Sequence, residues 1–115
     1  MSQQLDKDTE KNIIVDLKEG VLRSHLDIFI LSNIRNYGAL SGYDLLNRFR
    51  GRFGVNISVG TIYSQLYSLE RKQLIEGKTD STARRYVLTP KGATSLDIAV
   101  ALKQQILDLV DSLFP

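Results

Sequence analysis

Three amphipathic segments, each preceded by a residue that can cap a helix, are the feature that most constrains how this chain of 115 residues can fold. Ser24 and Asp27 have the spacing of a capping box, so they predict the start of the first of these helices. Ser41 and Ser58 precede the other two segments, and their hydroxyls are predicted to accept hydrogen bonds from the first helical turn. Apolar residues then recur every three or four positions, which is the helical period. The first and third helices are predicted to end near Asn36 and Gln73, and Gly51 and Gly54 mark the predicted end of the second.

Two short strand signals follow the third helix. They lie at 74–76 and 84–88 with a polar loop between them, so they predict a β-hairpin. Three helices followed by a hairpin is the order of a winged helix-turn-helix, in which the third helix enters the DNA major groove and the hairpin, or wing, reaches the flanking DNA. The predicted fold class is therefore mostly α with a small β-hairpin wing (α+β). We place an N-terminal helical extension at 1–21, the winged domain at 22–89 and a long C-terminal helix at 90–115.

The C-terminal segment is predicted to be one continuous helix, because Thr89 can cap it and Pro90 fits its first position. Two adjacent apolar rows run along this helix, and a chain of this size has few elements left to cover them. We therefore expect a homodimer interface here, the alternative being that both rows pack within the chain. The predicted interface comprises Leu96, Ala99, Leu102, Ile106, Leu109, Val110, Leu113 and Phe114, joined by Ile13, Ile14 and Leu17 if the N-terminal helix takes part.

Composition and charge exclude several classes of protein. The chain has no cysteine and one histidine, so it has no disulfide framework and almost no ligands for a transition metal. His25 stands between Ser24 and Asp27, but neighbouring residues at a helix start diverge and cannot form a catalytic triad. We predict no enzyme activity and no cofactor. The polar N-terminus and the lack of a long apolar run predict a soluble protein of the cytoplasm, without membrane contact.

The outward face of the third helix indicates a polyanionic partner. With Ile62, Leu66 and Leu69 inward, the opposite face is predicted to be polar and free of acidic residues, unlike an ordinary solvated face. We expect base contacts from short hydroxyls and the Gln65 amide, and phosphate contacts from the cations. The alternative for the wing arginines is that they lie in water and only protect an edge strand with their charge. The candidate DNA-binding residues are Ser58, Thr61, Tyr63, Ser64, Gln65, Tyr67, Ser68, Arg71 and Lys72 in the helix, and Arg84 and Arg85 in the wing.

Four short segments stand in a fixed order, LSGYDLL at 40–46, SVGTIYSQL at 58–66, LERKQLI at 69–75 and RYVLTPKG at 85–92. In these segments the chain resembles the PadR-type transcriptional regulators, over about residues 22 to 92. The resemblance implies a dimeric DNA-binding repressor that dimerises through its C-terminal helix. Gln73 departs from it, because a glycine is usual there, so either the turn differs or Gln73 adopts a left-handed conformation. The chain also lacks the tryptophan of the drug site in some members.

The leading hypothesis is a homodimeric regulator, a repressor by resemblance, that binds double-stranded DNA at a pseudo-palindromic operator. A small-molecule effector is possible but not indicated. The alternatives are a winged-helix protein-interaction module and an architectural DNA binder with little sequence preference. Charge supports a DNA partner, since residues 21–95 hold eleven basic and five acidic side chains.

Tyr43 is predicted to pack its ring on the core.

Overall fold

The computed structural model describes residues 3–115, which form six helices around a small sheet. The predicted fold class, mostly helical with an antiparallel wing, is confirmed. The elements are α1 (Gln3–Ser24), α2 (Leu26–Tyr37), β1 (Leu40–Ser41), α3 (Gly42–Phe53), α4 (Val59–Arg71), β2 (Ile75–Thr79), β3 (Arg84–Leu88), α5 (Pro90–Ala101) and α6 (Lys103–Leu113). None of the helices in this part of the chain is long and apolar enough to cross a membrane.

Local hydrogen bonds start three of the helices where the sequence predicted. Ser41, Ser58 and Thr89 each accept a bond from the backbone N–H three residues later, at 3.0–3.2 Å. At α3 the capping box is complete, because the Asp44 carboxylate accepts from the backbone N–H of Ser41 at 3.0 Å. These bonds satisfy N–H groups that a helix start otherwise leaves without partners.

The predicted start of α2 at Ser24 is wrong. Helix α1 continues through Ser24, and the residue before α2 is His25, which makes no side-chain capping bond. Leu22 and Leu26 are both buried in the same core, one turn apart. Helix α1 therefore runs on towards Leu26, and His25, with φ −130° and ψ 29°, does not have the extended backbone of a cap. The Asp27 carboxylate instead accepts from the N–H of Ile28.

The sheet has three antiparallel strands in the order β1-β3-β2. The predicted hairpin is present, with Ile75 opposite Leu88, although its first strand begins one residue later than predicted and runs on to Thr79. Strand β1 is an addition that the sequence did not predict. Its two residues are too few to show a strand period, and only its pairing with β3 defines it, Leu40 with Tyr86 and Ser41 with Arg85.

The C-terminal segment is two helices rather than one. Helix α5 ends at Ala101 and α6 begins at Lys103, with Leu102 between them. Helix α5 packs on α2, and an ion pair between Arg35 of α2 and Asp97 of α5 also joins the two helices. Leu96 is therefore 0% exposed in the core of the protomer, and its predicted place in a dimer interface is wrong. Helix α6 has no buried residue.

The turn after α4 contains a strained residue. Gln73 has a φ of 62°, which is the left-handed conformation. The glycine that is usual at this position would adopt it without strain. The N–H of Leu74 then donates to the carbonyl of Leu69 at 3.0 Å, which closes the helix end and directs the chain into β2. The Thr89 hydroxyl donates to the Gln73 carbonyl at 2.6 Å, so the same turn also anchors the start of α5.

We expect Gln73→Gly to stabilise the protein by about 0.5 to 1 kcal/mol, because the relief of left-handed strain exceeds the added entropy of the unfolded chain. Gln73→Ala is the matched control, since it retains Cβ and therefore the strain. Urea unfolding of the three proteins measures the difference. Equal midpoints for the glycine and alanine variants would contradict this account.

Candidate nucleic-acid interface

Helix α4 has one buried side and one open side. Ile62, Leu66 and Leu69 are buried in the core. At about 100° per residue, the direction opposite these three side chains passes through Ser64, Tyr67 and Arg71. All of the α4 side chains on that side are exposed, and Tyr67 is 73% exposed. The core packing of α4 therefore presents a polar strip to solvent.

The structure distributes the predicted DNA-binding residues over the open side and its two flanks. Gln65 and Ser68 are half-buried. Gln65, a predicted base contact, directly precedes the inward Leu66 and therefore lies on the flank and not at the centre of the outward face. Arg85 is also half-buried. The exposed members of the predicted set are Ser58, Thr61, Tyr63, Ser64, Tyr67, Arg71, Lys72 and Arg84.

The open strip of α4 carries no carboxylate within the part of the chain that the structure describes. The acidic residue of this helix, Glu70, lies half-buried on the flank beside the wing. Its carboxylate accepts a hydrogen bond from the Arg84 guanidinium at 2.6 Å, which raises the pKa of Arg84. Its charge is thus neutralised internally, and the strip with Arg71 and Lys72 stays electropositive.

Tyrosines extend this surface towards the start of α3. A Cβ on Gly42 would lie 2.7 Å from Cζ of Tyr63, so the glycine lets α3 approach the tyrosine ring. The prediction that Tyr43 packs on the core is wrong, because its side chain is 65% exposed. Gly42 faces the core and Tyr43 faces solvent, and the sequence pattern alone did not show which of the two lies inward. Tyr43 is therefore an exposed aromatic residue that the predicted site did not include.

The wing arginines point to opposite faces of the hairpin, as the alternation along a strand predicts. The Arg85 guanidinium lies 3.0 Å from carboxylate oxygens of both Asp44 and Asp80. At the wing tip, residues 80–83, the backbone N–H groups of Thr82 and Ala83 also donate to Asp80, and these bonds hold the pKa of Asp80 well below the ordinary range. The pKa of Asp44 is lowered too, chiefly by the N–H of Ser41 and further by Arg85. Ion pairs thus join the wing to α3 and to its own tip.

A second exposed surface is apolar and lies on the terminal helices. Ala99 is half-buried, and the rest of the predicted interface other than Leu96 is exposed in the protomer. A cavity of about 570 Å³ lies between α1 and the pair α2 and α3. Its lining is mostly apolar and includes Leu17, Phe29 and Phe53, together with the cations Lys18 and Arg52. Within residues 3–115, no group of three or more His, Asp or Glu side chains is arranged to hold a metal ion.

Residues 30–98, which hold α4, the wing and most of α2 and α5, match the sequence model of the Transcriptional regulator PadR-like family. The chain belongs to this family. PadR-like proteins are DNA-binding transcriptional regulators, so the predictions of a DNA-binding regulator and of no enzyme activity are confirmed. No curated protein sequence matches the chain significantly.

Solved structures of PadR-like regulators share the fold. One from Bacillus cereus is 26% identical with a TM-score of 0.71, over 83% of this chain and 96% of that one. A PadR family regulator from Clostridium difficile is 26% identical with a TM-score of 0.68, over 79% of this chain and 99% of that one. Bacillus subtilis PadR in complex with operator DNA is 26% identical with a TM-score of 0.57, over 66% of this chain and 46% of that one.

We expect Asp44→Ala to cost about 1 kcal/mol of stability near neutral pH, because it removes half of the capping box that starts α3. The folded-state pKa of Asp44 is lowered, so its contribution is present above the unfolded-state pKa and is lost as the pH falls through the folded-state value. Urea unfolding near neutral pH and again in acid checks this sign. A cost that stayed the same in acid would contradict it.

Proposed function

We propose that this PadR-like regulator is a homodimeric repressor that binds a pseudo-palindromic operator through α4 and its wing. The observation that carries the proposal is the carboxylate-free open strip of α4, described above, which presents hydroxyls, phenols and two cations. A helix of this kind fits the DNA major groove, where short polar side chains can approach base edges. A protein-interaction module would instead be expected to present an apolar or acidic face there.

Position along α4 divides the proposed contacts into two classes. Arg71 and Lys72 lie at the C-terminal end of the helix, and neither side chain has an ion pair among the described residues. We assign them to phosphate neutralisation, which adds affinity without sequence preference. Ser64, near the middle of the open strip, is assigned to base edges. Gln65 and Ser68 are assigned to the same role from the flank, where the Gln65 amide can pair with adenine.

The proposed dimer rests on the apolar surface of the terminal helices. Helix α6 leaves both of its apolar rows exposed, and Phe114 beyond it is 78% exposed. Continuous apolar surfaces of this kind mark interfaces in water-exposed proteins. The mostly apolar cavity between α1 and the pair α2 and α3 offers a surface on which a partner's α6 could pack. A dimer would present two α4 helices to DNA, which matches a palindromic site.

Selection of bound duplexes from a random pool tests the proposed function. A homodimer with two reading helices should enrich a pseudo-palindrome whose half-sites are about one helical turn apart. Enrichment of a single half-site would contradict the dimer. A pool that stays random, with binding that falls uniformly as salt rises, would support an architectural binder instead.

We expect Arg71→Ala to weaken binding to all duplexes about equally and to lower the salt slope of binding by about one, because one phosphate contact is lost. Gln65→Ala is the contrasting variant. It should relax the preference at one base pair, by about 1 to 3 kcal/mol, and leave the salt slope unchanged. Titration across a salt series with the selected duplex measures both effects. A base-specific effect of Arg71→Ala with an unchanged slope would contradict the assignment.

We expect Ile106→Asp to dissociate the dimer, because it would bury an unpaired charge in the interface while leaving the protomer core intact. Gln104→Lys is the control, since it adds a charge on the opposite side of α6 where Asp108 can pair with it, and it should remain a dimer. Sedimentation measures both states. Operator affinity of the monomer should fall by about 10²-fold or more, since two half-sites no longer bind together.

Deletion of residues 103–115 is a second route to the same state. It spares Leu96 and the rest of the protomer core, which a longer deletion would damage. A deletion variant that is folded and still dimeric would place the interface elsewhere, around Ile13, Ile14 and Leu17 on α1.

A further inference from the structure

The basic residues of the hairpin at 75–88 differ in whether their charge is already paired. They are Lys78, Arg84 and Arg85. The Arg85 guanidinium is shared between two carboxylates, with Nη1 at 3.0 Å from Asp44 and Nε at 3.0 Å from Asp80. Two of its five N–H donors are thus bonded to carboxylates, and its positive charge is already balanced by them when a phosphate approaches.

Arg84 is held on the other face of the hairpin. Its guanidinium is hydrogen-bonded to Glu70 of α4 and lies over the ring of Tyr86, 5.8 Å from the ring centroid. A Cβ on Gly77 would lie only 2.6 Å from its Nε, so the arginine crosses β2 where the strand has no side chain. Arg84 therefore joins the wing to α4, and its charge is paired with Glu70 although the side chain remains partly exposed.

The wing tip itself carries no cation. It spans residues 80–83, and the Asp80 carboxylate accepts bonds there from the N–H groups of Thr82 and Ala83 at 2.7 and 2.8 Å. The tip is thus closed around a carboxylate, which disfavours a phosphate at the same place. A cation that reaches DNA from the wing has to lie beside the tip.

Lys78 has the required position and freedom. It pairs across the hairpin with Arg85, two residues before the tip, and its side chain is exposed. It has no hydrogen bond or ion pair to any residue between 3 and 115, including Glu76 on the same face of β2. The like charge of Arg85 directly opposite favours an ammonium that extends into solvent.

We propose that Lys78 is the residue with which the wing neutralises a DNA phosphate, and that Arg84 and Arg85 hold the wing in place without touching DNA. A flexible lysine acts as a point charge on a phosphate, so it supplies affinity rather than sequence preference. This inference rests on the proposed function, because it takes DNA to lie along α4 and the wing.

The test compares salt slopes on the duplex enriched by the wild-type protein, or on a random-sequence duplex if none is enriched. Lys78→Gln should lower the slope by about one and leave the base preference unchanged, whereas Lys78→Arg should retain the slope. The controls are two charge-preserving pairs, Arg85→Gln with Asp80→Asn and Arg84→Gln with Glu70→Gln. Both pairs should retain the wild-type slope.

An unchanged slope for Lys78→Gln, or a slope lowered by about one in either arginine pair, would overturn the inference while leaving the proposed function intact. A wild-type protein that bound neither duplex would overturn both. Because the chain has no cysteine, Lys78→Cys gives a unique site for an iron chelate that cleaves nearby DNA. Cleavage should fall beside the half-site, and an absence of cleavage in a bound complex would also overturn the inference.

Discussion

Burial of one side of α4 is the constraint on which the rest of the structure depends. Ile62, Leu66 and Leu69 enter the core formed with α2 and α3, and this packing fixes the rotation of α4 about its axis. Any other rotation would expose these side chains, each worth about 1.5 to 3 kcal/mol when buried. The polar strip that includes Ser64 and Arg71 is therefore directed outward by hydrophobic burial on the opposite side. In the proposed complex, affinity for DNA then comes from the cations that this packing holds on the outer side of α4.

Ion pairs between the wing and the helices have a different role from the core. Glu70 with Arg84 joins the wing to α4, and Asp44 with Arg85 joins it to α3, on opposite faces of one strand. Partly exposed pairs of this kind add little stability, but two of them on opposite faces restrict the direction in which the hairpin extends. In the same pairs, carboxylates balance the positive charge of both arginines. This division leaves Lys78 as the proposed wing contact with DNA.

The terminal helices pack less completely than the winged core. Helix α5 is anchored by Leu96 and lies against α2, while α6 and most of α1 expose apolar side chains to solvent. A single chain of this length cannot cover them, because its remaining elements already form the core around α4. The proposed dimer would resolve this exposure and would also present the two reading helices that a palindromic operator requires. Stability and DNA recognition would then depend on the same contact between protomers.

The sequence by itself determined the features that local chemistry encodes. Caps at Ser41, Ser58 and Thr89 and the order of helices and hairpin depend on residues within a few positions of each other. For Gln73 the sequence left two conformations open, and the structure decided for the left-handed one. Only the tertiary structure decided the continuation of α1 through Ser24, the burial of Leu96, the exposure of Tyr43 and the pairing of β1 with β3. The partners of Arg84 and Arg85 belong to this group as well, since Arg85 reaches Asp44 across 41 positions of the chain. Contacts between distant segments leave no periodic signal in either segment, so they become visible only when the chain is folded.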